Sequence, residues 1–169
     1  MFPSLQLSEL IQHATTLVSN NPQISKDELS NAVAARFLLR KTRSVFAGDA
    51  FAVRFSAVQG GGFPNTVLGL SVLQKYDARP FVICILRPAA VEFLLANSTF
   101  LNKVSHSSHT LRVDNIRGNF LGSDIATTLE GIHNRPENFE RLFALHQSRS
   151  WEENLVRLVK ATIRAPIRR

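Results

Sequence analysis

The feature that most constrains this chain is the run Phe81-Val82-Ile83-Cys84-Ile85-Leu86. It is followed by Arg87-Pro88-Ala89-Ala90 and a second, mostly apolar stretch, Val91 to Ala96. Apolar residues in unbroken succession show no solvent-facing alternation, so the run reads as a central strand with cover on both faces. It is far too short to cross a bilayer, which takes roughly 20 residues. The turn residues after Leu86 predict a hairpin, with Val91 to Ala96 returning alongside. Cys84 lies inside this strand, where a small buried thiol is expected rather than a nucleophile.

Helical patterns at the two ends can supply the cover. Leu7, Leu10, Ile11, Ala14, Leu17 and Val18 recur at helical spacing until Asn20-Asn21-Pro22. Ser25 and Glu28 have capping-box spacing, in which hydroxyl and carboxylate each satisfy an orphan amide. The helix they open is expected to reach about Lys41, with Leu29, Val33 and Phe37 on one face. Its far end would then carry Arg36, Arg40, Lys41 and Arg43, placed either for the helix dipole or for phosphate contact. Near the other terminus, Pro136 suits a first turn and Phe139, Leu142 and Phe143 form an apolar face. Ser150 with Glu153 predicts a second capping box, opening a helix with Leu155, Leu158, Val159 and Thr162.

Between these ends, Phe51, Val53 and Phe55 alternate with Ala52, Arg54 and Ser56, as in a half-buried strand. Gly60-Gly61-Gly62 reads as a connector, because no Gly-Lys-Ser/Thr follows to make a phosphate loop. Thr66 to Leu73 fits strand or helix. From Asn97 to about Glu130 the sequence reads as polar and irregular. The expected fold class is α+β, a central mainly antiparallel sheet flanked by N-terminal and C-terminal helices. One domain spans 1–169: a helical segment over 1–45, the sheet with a polar loop over 50–130, and C-terminal helices over 135–163.

Charge is the first pointer to a partner. The 169 residues hold 20 Lys and Arg against 13 acids, a net charge of +7, and 15 of the 20 cations are arginine. Arginine's planar fork of donors suits phosphates and guanine edges, so this surplus favours a polyanion. One cysteine excludes an internal disulfide and a cysteine-rich zinc site. Met1 to Asn20 is amphipathic and contains Glu9, unlike a signal sequence. A cytoplasmic protein with no membrane partner is expected. The segment Asn102 to Phe120 concentrates short hydroxyls, two histidines, asparagines and three cations between apolar anchors, the side chains that bind phosphates and base edges. Within it Lys103, Ser105, His106, Ser108, Arg112, Asn115 and Arg117 are the candidate DNA contacts.

At these residues the chain resembles a known family. Phe63-Pro64-Asn65-Thr66-Val67-Leu68, Leu73-Gln74-Lys75-Tyr76-Asp77 and Pro80-Phe81-Val82-Ile83-Cys84 are similar to the N-terminal region of a group of type II restriction endonucleases. The similarity continues through Leu94-Leu95-Ala96-Asn97-Ser98-Thr99-Phe100-Leu101, the Ser105–Asn119 segment and Gly122-Ser123-Asp124-Ile125. It closes with Pro136-Glu137-Asn138-Phe139-Glu140 and Trp151-Glu152-Glu153-Asn154-Leu155, covering residues 51–162. The resemblance implies sequence-specific binding of double-stranded DNA within a restriction–modification system.

The cutting chemistry does not carry over. Nucleases of the commonest restriction fold need an acid two residues before a lysine, to hold Mg²⁺ and orient the attacking water. Here the residues two places before Lys26, Lys41, Lys75, Lys103 and Lys160 are Ile24, Leu39, Leu73, Leu101 and Leu158. Asp77-x-Arg79 is the nearest approximation, and a turn before Pro80 explains it better. The chain is therefore expected to be the N-terminal portion of a longer enzyme, catalytically incomplete, with no evident cofactor of its own and Mg²⁺ only if a nuclease centre is completed elsewhere. Two alternatives accompany this reading. One is a metal-dependent endonuclease using His133 and His146, whose order with Asn138 is that of a His-Asn-His nuclease. The other is a domain that forms a homodimer through the apolar stripe from Trp151 to Thr162. His106-x-x-His109 supplies two ligands with no third nearby, so it reads as a surface pair.

Overall fold

The computed structural model describes residues 4–105 and 118–164. Its centre is a five-stranded sheet in the order β1-β2-β3-β5-β6. The strands are β1 (Arg40–Thr42), β2 (Val45–Ala47), β3 (Ala52–Ala57), β5 (Phe81–Arg87) and β6 (Ala90–Leu95). β5 is the apolar run, and every residue of it but Arg87 is buried. It pairs antiparallel with β6 through the Pro88-Ala89 turn, in the expected hairpin. On its other side β5 runs parallel to β3, with Phe55 opposite Cys84. Parallel neighbours need a long crossover. Here the crossover carries β4 (Thr66–Gly69) and the one-turn helix α3 (Leu70–Leu73), so the ambiguous Thr66–Leu73 stretch is a strand followed by a helical turn.

Alternate residues of β5 feed two cores. Val82, Cys84 and Leu86 face α1 (Ser4–Asn20), α2 (Lys26–Phe37) and α4 (Phe139–Gln147), packing with Leu10, Ala14, Leu29, Val33, Leu142 and Phe143. Phe81, Ile83 and Ile85 face the other layer. That layer comprises α3, the ribbon of β4 with β7 (Asn119–Leu121), and α5 (Trp151–Arg164) with Leu155 and Leu158. A fully buried phenylalanine is worth roughly 1.5–3 kcal/mol over an exposed one. Phe51, Phe139 and Phe143 lie fully buried in the first core, and Phe81 and Phe120 in the second. Burial also pushes the Cys84 thiol up from its ordinary range, in line with an inert core thiol.

Both capping boxes form: Glu28 N donates to Ser25 Oγ at 3.1 Å, and Glu153 N to Ser150 Oγ at 3.1 Å. One boundary differs from expectation. The second helix stops at Phe37 because Leu38 adopts the left-handed conformation (φ 55°), and Arg40 and Lys41 begin an edge strand instead. Only Arg36 stands in the helix's last turn. The propensities of Leu38 to Lys41 permit further helix, so pairing of Arg40 with Ala47 and Lys41 with Phe46 decides the matter. The stretch after Asn97 is also more ordered than its polarity implies. It holds a 3₁₀ turn over Ser98–Phe100, β7, and a small hairpin of β8 (Thr128–Leu129) with β9 (Ile132–His133).

The β4–β7 ribbon is locked by a close backbone approach. Gly122 N donates to Pro64 O at 3.0 Å, and a Cβ on Gly122 would stand 2.5 Å from Pro64 Cδ and 2.9 Å from Pro64 N and O. Gly122→Ala is therefore expected to destabilise the fold by about 1–3 kcal/mol, the range for overpacking. Gly61→Ala, whose Cβ would meet nothing within 4 Å, is its control. Paired urea melts check this, and equal midpoints for the two variants would contradict it.

Candidate nucleic-acid interface

The polar segment departs from a rigid frame. Val104 is buried in the second core, and the next residue, Ser105, is held by Asp124, which has no exposed surface. Ser105 N donates to Asp124 Oδ2 at 3.0 Å and its hydroxyl donates to Oδ1. The same carboxylate accepts Leu121 N at 2.8 Å, while Asn102 N donates to the Asp124 carbonyl at 2.8 Å. Downstream, Gly118 O accepts Leu70 N at 2.7 Å just before β7 enters its ribbon. One buried carboxylate thus ties the outgoing and returning ends of the segment together. Lys103 is exposed beside this anchor, with no carboxylate partner among the described residues. His106, Ser108, Arg112, Asn115 and Arg117 lie outside the described residues.

Other cations divide into half-buried and exposed ones. Arg87 donates to Glu92 at 2.9 Å and to the carbonyls of Gly60 and Gly62 at 2.9 and 2.8 Å. The glycine loop therefore offers carbonyls to a cation, the opposite of a phosphate cradle. Arg79 donates to Gly48 O and lies over the Tyr76 ring. Arg157 donates to the carbonyls of Leu101 and Ser98 at 2.7 and 2.9 Å. Cations without a carboxylate partner among the described residues collect on the edge hairpin, where Arg40, Lys41 and Arg43 are exposed and Lys41 lies over the Phe46 ring. Lysine and arginine on an edge strand also discourage sheet-to-sheet association. Arg54 projects from β3 on the side of the second core, in register with Ile83. Its Nε is buried without a partner, and burial lowers its pKa.

The two histidines proposed for catalysis occupy unlike settings. His133 is exposed on β9. His146 is 5% exposed, with Phe100 and Phe143 rings 6.0 and 5.6 Å away. Its Nε2 lies 2.7 Å from the Asp77 carbonyl, which can only accept, so Nε2 carries the proton. Nδ1 then accepts from the Thr99 hydroxyl at 2.6 Å. Both ring nitrogens are engaged, and a general base or metal ligand needs one free. Among the described residues no three His, Cys, Asp or Glu side chains gather as a metal group. The apolar stripe of α5 that motivates a homodimer is buried in the protein's own second core at Leu155 and Leu158.

Around His146 lies a network that sequence reasoning missed. Asn154 Nδ2 donates to Ser98 Oγ at 3.1 Å and Thr99 Oγ1 at 3.0 Å. Ser98 Oγ donates to Asp77 Oδ2 at 2.5 Å, and Ser98 N to Asp77 Oδ1 at 2.8 Å. Asn97 accepts Phe81 N and donates to Arg79 O. The directions run without conflict from Asn154 through the two hydroxyls to Asp77 and His146, joining α4 and α5 to the end of β6. The only sequence signal was Asn154 lying next to Leu155 in an otherwise apolar helix face. Comparison with protein-family models, curated proteins and solved structures finds no match to this chain.

Proposed function

We propose that this chain is a DNA-binding module of the kind its sequence resembles, the binding portion of a type II restriction endonuclease without a nuclease centre of its own. The observation that supports the reading is the Asp124 clamp. A polar, cation-bearing segment is fastened at both ends to a packed core, the usual way a rigid scaffold presents a recognition loop. Lys103, Arg112 and Arg117 neutralise phosphates in this reading; Ser105, His106 and Ser108 position the backbone, and Asn115 reads a base edge. The exposed cations Arg40, Lys41 and Arg43 form a second basic surface that adds to non-specific affinity.

Each phosphate neutralised contributes about −0.9 to the slope of log K against log salt. Anisotropy titrations with labelled duplex DNA are therefore expected to show binding that weakens steeply with salt. The triple variant Lys103→Ala, Arg112→Ala, Arg117→Ala should flatten the slope by roughly 2–3. No binding of the unaltered chain at low salt, or an unchanged slope in the variant, would refute the reading. Plasmid incubated with the chain and Mg²⁺ or Mn²⁺ should stay intact; cleavage abolished by His133→Ala would instead support the endonuclease alternative.

A further inference from the structure

β6 is the last strand of the sheet, and its outer edge is incompletely closed. Leu95 N donates to Asn134 Oδ1 at 2.9 Å, and Asn134 Nδ2 donates back to Leu95 O at 2.9 Å. The side-chain amide of Asn134 thus takes the place that a neighbouring strand's backbone would fill. The bonds of Leu95 point away from β5, and the β5–β6 register runs unbroken from Val82–Leu95 to Arg87–Ala90. In an antiparallel ladder the direction alternates at every residue, so the N–H and C=O of Phe93 and Val91 point outward as well. No described residue hydrogen-bonds to them.

These groups open into a groove of about 710 Å³. Ile11 and Thr15 of α1, Gly61 and Phe63, and the stretch around Arg135 line it. A neighbouring groove shares Ile11, Pro136 and Glu137 and ends at Leu5. Leu5 and Phe63, 71% and 47% exposed, are two of the four exposed large apolar side chains among the described residues, and both flank this channel.

From this arrangement we infer that the β6 edge is a docking site for an extended peptide of a partner protein, which adds as a sixth strand beside Val91 and Phe93. The unpaired row of alternating donors and acceptors is complementary to an extended backbone. Alternate side chains of that peptide point to opposite faces of the sheet, apolar ones on the face covered by α1, against Ile11, and polar ones on the other. Asn134, seated on the outward edge at Leu95, disfavours a second copy of this chain. That copy would bring its own α1 and its own Asn134 into the same space. None of the residues lining this groove is among the proposed DNA contacts.

The test uses the full chain and linear peptides selected from a random display library, then synthesised with a fluorescent label. Val91→Pro is the diagnostic variant. Proline removes an outward N–H, fills the edge with its ring, and breaks no bond to β5. Selected peptides are expected to alternate apolar and polar residues and to protect the Val91 and Phe93 amides from hydrogen exchange. Val91→Pro should weaken their binding at least about tenfold, as expected for losing one or two edge hydrogen bonds. Should Val91→Pro lower stability, the exchange pattern in the unaltered chain decides alone. Absence of enriched peptides, equal binding by a folded Val91→Pro, or protection at other amides would overturn the proposal. So would a dimer that Val91→Pro converts to monomer, which assigns the edge to a second copy.

Discussion

Replacing Asp77 by alanine is expected to destabilise the protein by about 2–5 kcal/mol, since two buried donors lose their acceptor at about 1–3 kcal/mol each. Asp77 is 7% exposed, and its carboxylate accepts both the amide and the hydroxyl of Ser98. Alanine would leave those two donors facing a void, and Ser98 is itself fully buried, so water cannot take over. The loss spreads, because Ser98 Oγ and Thr99 Oγ1 share the Asn154 amide, and Thr99 orients His146. At this chain length each kcal/mol moves the melting temperature by about 2–4 °C, so a fall on the order of 10 °C is expected. Asp77→Asn should cost less: its carbonyl still accepts Ser98 N, and only the Ser98 hydroxyl loses its acceptor. A double-mutant cycle with Ser98→Ala should return a coupling of roughly 1–3 kcal/mol. Additive losses would mean that the two side chains do not act as a unit.

Asn134→Ala is the second large effect, expected at about 2–4 kcal/mol. Asn134 is 3% exposed and makes three hydrogen bonds, accepting from Leu95 N and donating to Leu95 O and Ala126 O. Each buried backbone group left without its partner costs about 1–3 kcal/mol, partly relieved where water enters. The informative comparison is Asn134→Asp, which has nearly the same shape. An ionised carboxylate can still accept Leu95 N but faces two carbonyl oxygens with no hydrogen to give, so Asp should be at least as harmful as Ala near neutral pH. Acidification restores one donor to the carboxyl, and the gap between the Asp and Ala variants should narrow as pH falls. Chemical denaturation at two pH values reads both effects. An Asp variant as stable as the unaltered chain at neutral pH would show that donation to Leu95 and Ala126 carries no weight.

These positions show which parts of the molecule were legible beforehand. The β5–β6 hairpin, the helices over Ser4–Asn20 and Phe139–Gln147, and both Ser-x-x-Glu caps are local or periodic signals, and the structure bears them out. The α+β class followed from their order. The end of α2 was not legible, because Leu38 leaves the helix for a pairing with β2 that no local pattern announces. Asn97, Ser98 and Thr99 fall in the stretch that reads as polar and irregular, because polarity marks loops on average, and Asn134 carries no local signal at all. Their burial depends on partners between 16 and 56 residues away.

The same division holds for the candidate interface. Sequence alone determined that an arginine-rich chain carries a polar, cation-bearing stretch between apolar anchors, because charge and side-chain type need no coordinates. Only the tertiary structure decided that Asp124 fastens that stretch at Ser105 and Leu121. It also decided that His146 is a doubly bonded core group and that β6 has an open edge. Periodicity reports which residues must leave water. Which polar groups leave with them, and which backbone edge stays unpaired, depends on contacts between segments remote in the chain.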